Sequence, residues 1–286
     1  MVDRGRKPKP MMLEINRFRK EQERLGIDLP YRETDGVCIL SKGQDHWGVA
    51  YMSYLLAKQA GLTLDFSYCE QELPDSRLYF LPCITGMVMS KRRYECLKQK
   101  VYEGAVLYLS MKDGILTEFE KLTGFQVVRA SREEVEGCAG IPYRKSYQLE
   151  LCSTRAKVLL ADEDENPLFG EASYGAGKVY FLNFPMEEML LSQKDGLRDS
   201  YYKFYQAVCG DARQKKGIWK QNPYIGMTFH RGDEREYAVL VNYTAEFQNP
   251  AICMDEITSP DVTVLHGCKE RIEPFGALVL GWGKKV

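Results

Sequence analysis

The chain has little of what most chemistries announce themselves by. Its 286 residues include only three histidines, His46, His230 and His266, scattered too widely to suggest a metal cluster. The nine cysteines are odd in number and contain no Cys-x-x-Cys pair, so neither a disulfide framework nor a zinc ribbon is indicated. Most of them lie in apolar segments, as buried free thiols do. Charge of one sign is missing too: Lys+Arg 39 against Asp+Glu 40 leaves no basic excess of the kind nucleic-acid binders carry. No run approaches membrane-spanning length, and the positive start "MVDRGRKPKPMM" has no apolar stretch behind it of the kind a signal peptide needs. These absences lead to the expectation of a cytoplasmic protein with no metal, cofactor, nucleic-acid partner or membrane attachment.

What is present is pattern. "RGRKPKPMM" reads as a solvated linker, and "MLEINRFRKEQERLG" as one exposed amphipathic helix carrying Leu13, Ile15, Phe18 and Leu25 among its charges, together filling residues 1–35. From residue 36 strands alternate with helices. "GVCILS" is a strand, "WGVAYMSYLLAKQAG" a helix ending at Gly61, and "LTLDFSY" and "SRLYFLP" are strands. "SKRRYECLKQKVYEG" is a serine-capped helix that leads into the strand "AVLYLS". This alternation predicts an α/β domain over 36–220, a flavodoxin-like, doubly wound parallel sheet covered on both faces. After "IWKQNP" only short strands and polar turns remain, so residues 221–286 are expected to form a small all-β antiparallel sandwich.

"AVLYLSMKDG", residues 105–114, places Ser110 at a strand end, where some α/β enzymes mount a nucleophile. A nucleophile elbow would read Gly-x-Ser-x-Gly, but "YLSMK" has bulky residues where the turn wants glycine. In "SYGAGKV" a phosphate loop fails, because Ala172 takes the first glycine position and Val179 follows the lysine; a glycine hairpin turn fits instead. "DEDENP" is a solvated acidic turn without the spacing of a calcium loop. In "SKGQDHWGVAY" the residues Gln44, Asp45, His46 and Trp47 follow the first strand and should cluster at the carboxyl ends of the sheet, where open α/β sheets bind ligands. They could stack on and hydrogen-bond a sugar; the plainer reading buries Trp47 in the core, as most tryptophans are.

The order "AVLYLSMKDG … YFLNFPMEE" resembles the cysteine-elbow and His-x-Glu strands of class I glutamine amidotransferases, with Ser110 at the cysteine position, Phe184 or Asn183 near the histidine and Glu187 near the glutamate. A hydroxyl in place of a thiolate and a phenylalanine in place of a base imply the fold with a degenerate triad. The whole order, from "KPKPMMLEINRFRKEQERLG" through "GVCILSKGQDHWGVAYMSYLLAKQAGLTLDF" and "YGAGKVYFLNFPME" to "IEPFGALVLGW", resembles the C-terminal half of barrel glycoside hydrolases of the β-galactosidase type, an amidotransferase-like trimerisation domain followed by a small β-sandwich. In that family two glutamates on a (β/α)₈ barrel do the chemistry. The resemblance implies a non-catalytic portion with no catalytic residue of its own. It would act in homotrimers by packing on the catalytic barrel of the same or a neighbouring subunit and, through Gln44–Trp47, walling its sugar site. Two alternatives stand beside it: a stand-alone carbohydrate-binding protein that uses Trp47, Tyr224 or Trp282, and a serine hydrolase that uses Ser110.

Overall fold

The computed structural model describes residues 5–26, 29–85, 89–193, 195–210, 216–255 and 262–283. Its first element is helix α1 (Pro10–Leu25), with proline in the first turn and Gly26 in the left-handed conformation closing its end. Of the apolar residues expected to form its buried stripe, Leu13 and Ile15 are exposed at 57% and 50%. At 100° per residue these two point away from the face shared by Glu14, Phe18 and Glu21, and it is Phe18 that packs, edge-on, against His266.

The alternating segment then unfolds in order: β1 (Gly36–Leu40), α2 (His46–Ala60), β2 (Leu64–Tyr68), β3 (Leu78–Thr85), α3 (Lys91–Tyr102) and β4 (Val106–Asp113). All of β1 is buried, and the side chain of Ser90 accepts a hydrogen bond from the Arg93 N–H to cap α3. After α4 (Phe119–Thr123) come the strands β5 (Phe125–Ser131), β6 (Val135–Cys138), β7 (Pro142–Lys145) and β8 (Gln148–Ser153), which pair as two small antiparallel sheets, β5 with β8 and β6 with β7. The chain returns through β9 (Lys157–Ala161), β10 (Pro167–Tyr174) and β11 (Gly177–Leu182), followed by helices α5 (Met186–Leu191) and α6 (Tyr202–Cys209).

The central sheet has seven strands in the order β2-β1-β3-β4-β11-β10-β9. The five from β2 to β11 are parallel, and β10 and β9 extend it antiparallel. The expected parallel sheet is thus mainly parallel, with an antiparallel margin built from the glycine-rich segment. That segment turns through Gly175 (φ 61) and Ala176. Gly175 and Gly177 are required there, since a Cβ on Gly177 would lie 2.0 Å from the Val101 carbonyl of α3. An apolar cluster in this layer includes Ile39, Tyr79, Leu97, Leu107, Leu109, Phe125 and Phe181.

Strands β12 (Ile218–Lys220), β13 (Ile225–Arg231), β14 (Arg235–Asn242), β15 (Ile252–Met254), β16 (Thr263–His266) and β17 (Ala277–Gly283) complete the chain. They form a four-stranded antiparallel sheet, β13-β14-β17-β16, and the pair β12-β15. Both sheets contribute to one core that includes Ile218, Ile225, Phe229, Leu240, Leu278 and Trp282. By its packing the chain divides into two units, one of Asp35–Leu56 with Leu64–Cys209, the other of Met1–Thr34, Ala57–Thr63 and Gly210–Val286. Among the described residues no helix is long and apolar enough to cross a membrane.

Candidate functional site

Ser110 does not end its strand: β4 continues three residues further, and Ser110 pairs with Leu182 of β11. Opposite it β3 is irregular, with a register shift between Leu81 and Ile84. The extra residue there is Cys83, held at φ 49 in the left-handed region that a non-glycine residue occupies at a cost. Its freed N–H donates to Ser110 Oγ at 2.7 Å. The Ser110 hydroxyl in turn donates to Glu187 Oε2 at 2.6 Å, and Glu187 also receives the hydroxyls of Tyr108 (2.9 Å) and Tyr205 (3.0 Å) and the Cys83 thiol (3.4 Å).

This network is sealed. Ser110, Cys83, Tyr108, Tyr205 and Glu187 are each 0% exposed. Burial, reinforced by the Glu187 charge, holds the Cys83 thiol and both tyrosine hydroxyls well above their usual ranges, so all three keep their protons. The proton acceptor beside Ser110 is a carboxyl group already surrounded by four donors. Phe184 lies in the core against Tyr143 and Phe204. Asn183 ties the backbone together, its amide donating to the Leu149 and Pro167 carbonyls. Of the triad-like positions, then, Ser110 and Glu187 are brought together, and Phe184 and Asn183 do structural work nearby.

The four residues after β1 do not converge. Gln44 is buried and donates to the Pro82 carbonyl at 3.5 Å. Asp45 caps α2, its Oδ1 accepting from the Gly48 N–H at 3.0 Å. His46 lies edge-on to Tyr68. Trp47 is not in the core: it is 77% exposed, one helical turn from Tyr51 at 59%. The buried face of α2 is carried by Val49, Met52, Ser53 and Leu56, and Trp47 and Tyr51 lie on the opposite side of the helix. In the C-terminal unit Trp282 is buried and its indole N–H donates to Glu236, which removes its ring from use as a stacking platform, and Tyr224 is 39% exposed.

Asp45 does share a cavity with residues that sequence patterns do not mark. At the carboxyl ends of β4 and β11, a cavity of about 640 Å³ is lined by Asp45, Lys112, Arg144, Lys145 and Glu188 among others. This is the side of an open α/β sheet on which ligands bind. Lys145, only 2% exposed, has no hydrogen-bond acceptor for its Nζ. Burial pushes its pKa down to about 8, with the charge of Asp162 acting in the opposite direction. Glu188 is held by Lys112 through Oε1, leaving its shielded Oε2 without a donor. A lysine in a short strand reads as a surface residue, so the only sequence signal for this site is that Glu188 directly follows Glu187. Among the described residues no group of three or more metal-ligating side chains occurs.

No family model matches the chain, and no curated protein matches it in sequence. Solved structures do match. A catalytic mutant of Gan42B, a GH42 β-galactosidase from G. stearothermophilus, superposes on 99% of the chain with a TM-score of 0.62 and 14% identity. The polyextremophilic β-galactosidase of the haloarchaeon Halorubrum lacusprofundi covers 98% with a TM-score of 0.60 and 12% identity. The α-L-fucosidase isoenzyme 2 of Paenibacillus thiaminolyticus covers all of it with a TM-score of 0.66 and 10% identity. This chain spans 45%, 44% and 54% of those three proteins respectively. In fold, it is similar to about half of a β-galactosidase or related glycosidase.

Proposed function

We propose that the chain serves as the non-catalytic, C-terminal type of region of a glycoside hydrolase of the β-galactosidase class, acting in assembly and in shaping the active site of a barrel. The observation that carries this reading is the match of nearly the whole chain, both units included, to about half the length of several glycosidases. The order of the five parallel strands, β2-β1-β3-β4-β11, supports the flavodoxin-like and amidotransferase-like description of the sheet. The sealed Ser110–Glu187 network supports a scaffold in place of a hydrolase, since no substrate atom has access to the hydroxyl. The outward-facing Trp47 and Tyr51 are the side chains we assign to packing against a barrel and walling its sugar site. The assembly expected is a homotrimer in the cytoplasm.

An immunoblot of the source cells with an antibody against this chain tests the reading. A band far heavier than 32.9 kDa in a fraction with glycosidase activity is expected. A band at 32.9 kDa that sediments as a monomer and co-purifies with no glycosidase overturns it.

A further inference from the structure

An open sheet has two edges, and an unguarded edge is adhesive, because it presents backbone donors and acceptors with no strand across from them. Two outermost strands of this chain are guarded. β13 is covered by the segment before β1, where Arg32 bridges to His230 and the Glu33 N–H donates to the Phe229 carbonyl at 2.7 Å. β2 carries the charge of Asp65, and its last N–H, that of Tyr68, donates to the Gln71 side chain at 3.1 Å. β9, at the other end of the seven-stranded sheet, pairs only with β10. Its five residues, Lys-Val-Leu-Leu-Ala, include no proline and no charge beyond the first position. Val158 and Leu159 are exposed at 40% and 38%. The pairing with β10 slips around Phe169, yet Ala161 opposite Pro167 and Lys157 opposite Glu171 keep a single register. All of β9, about 17 Å of strand, therefore stays in the sheet.

The residues flanking this apolar centre decide what fits it. Arg155 and Lys157 stand at its start, and Asp162, Glu163, Asp164 and Glu165 follow its end, so the segment is basic at one end and acidic at the other. A second copy laid alongside in the antiparallel sense sets each basic end against the other's acidic end. Laid parallel, it sets like charges together, which is destabilising. We propose that β9 is a self-association edge: two copies of this chain pair β9 with β9, antiparallel about a two-fold axis, and join their seven-stranded sheets into one continuous sheet. Val158, Leu159 and Leu160 of the two strands cover one another near the axis. Such a pairing occupies both edges and closes at two copies. An edge of five residues buries less than a standard interface, so the association is weak and depends on concentration. It uses one unit of the chain and neither Trp47 nor Tyr51, which makes it separate from packing on a barrel.

Sedimentation velocity of the 286-residue chain at about 1 to 500 µM tests the proposal against Leu159→Lys, which puts a charge in the middle of the edge. The wild type is expected to reach twice the mass of the variant as concentration rises, whatever assembly the variant itself keeps. Lys157→Glu and Glu163→Lys, both at exposed positions, should each weaken the doubling about threefold, and the two combined should restore it. Should Leu159→Lys fail to fold by circular dichroism, hydrogen exchange of the wild-type chain decides: the amides of Lys157–Ala161 must slow as concentration rises. The proposal falls if the wild type and a folded Leu159→Lys sediment alike at every concentration, or if the mass climbs past doubling without limit. It falls equally if those amides do not slow, or if the combined charge variant associates more weakly than either single one. All of these results compare the chain with its own variants, so they come out the same whether or not the chain is a glycosidase region, and the immunoblot tests that reading separately.

Discussion

Ser110 answers to two partners at once, accepting from the Cys83 N–H that the irregularity in β3 sets free and donating to Glu187. Its hydroxyl is therefore a structural joint, and Ser110→Ala should lower stability by about 1–3 kcal/mol, the cost of a buried donor left unpaired. Denaturant melts measure this, and a fluorophosphonate probe should label neither protein; labelling of the wild type would restore the hydrolase. Glu187→Ala strands the hydroxyls of Ser110, Tyr108 and Tyr205 together and should cost more than Ser110→Ala in the same melts. Lys145 acts in the opposite sense. Its pKa lies near 8 in the folded protein against a reference of 10.5, so between those values the unfolded chain binds more protons and stability rises with pH. Below about pH 8 the buried charge is a standing penalty, up to about 3 kcal/mol. Lys145→Met should accordingly be the more stable protein at pH 7, and its advantage should shrink toward pH 10; an advantage constant with pH would contradict this. None of these roles was legible beforehand. The sequence marks Ser110 by its place after an apolar run, but the partner that explains it, Cys83, sits in "FLPCIT" with no glycine to signal a bulge, and Lys145 looks like any surface lysine.

At the scale of elements the period of the apolar residues was informative. The alternation from β1 to β4, the Ser90 cap of α3 and the stop of α2 at Gly61 follow directly from it. The small sheets β5-β8 and β6-β7 were less legible, because their strands are short and half exposed and bury too little apolar surface to stand out. The turn between β10 and β11 was legible through its glycines, and the structure adds why they are needed: α3 lies against them. Gly177→Ala drives a methyl into the Val101 and Ala105 carbonyls and should destabilise by about 1–3 kcal/mol or more, read as a lowered melting temperature. In the C-terminal module, His230 on β13 bonds the Pro30 carbonyl at 2.7 Å through Nδ1. Burial lowers its pKa below 6.5, so the folded state resists protonation. Stability should then fall as the pH drops through about 6.5, and His230→Gln should flatten the difference between pH 7 and pH 5 in paired melts.

For the molecule as a whole, the order of parts carried more information than any motif. Strand–helix alternation, a glycine hairpin and a run of terminal strands were enough to suggest a glycosidase half, whereas the exposure of Trp47 ran against the usual burial of tryptophan because it lies on the side of α2 opposite the buried Val49, Met52 and Leu56. If Trp47 and Tyr51 face a neighbouring subunit, sedimentation should give a trimer for the intact assembly, and Trp47→Ala combined with Tyr51→Ala should shift it toward monomer while leaving circular dichroism unchanged. The sulfur atoms of the chain offer a separate view of its motions. Cys138, Cys152 and Cys268 are exposed and should react with a thiol reagent at once, while Cys38 and Cys83, both 0% exposed, can react only when the sheet that covers them opens. The burial that keeps Cys83 inert thus also makes it a clock: the pace at which it is alkylated, followed by mass spectrometry, reads how often the centre of the α/β unit comes apart, without any label having to be introduced.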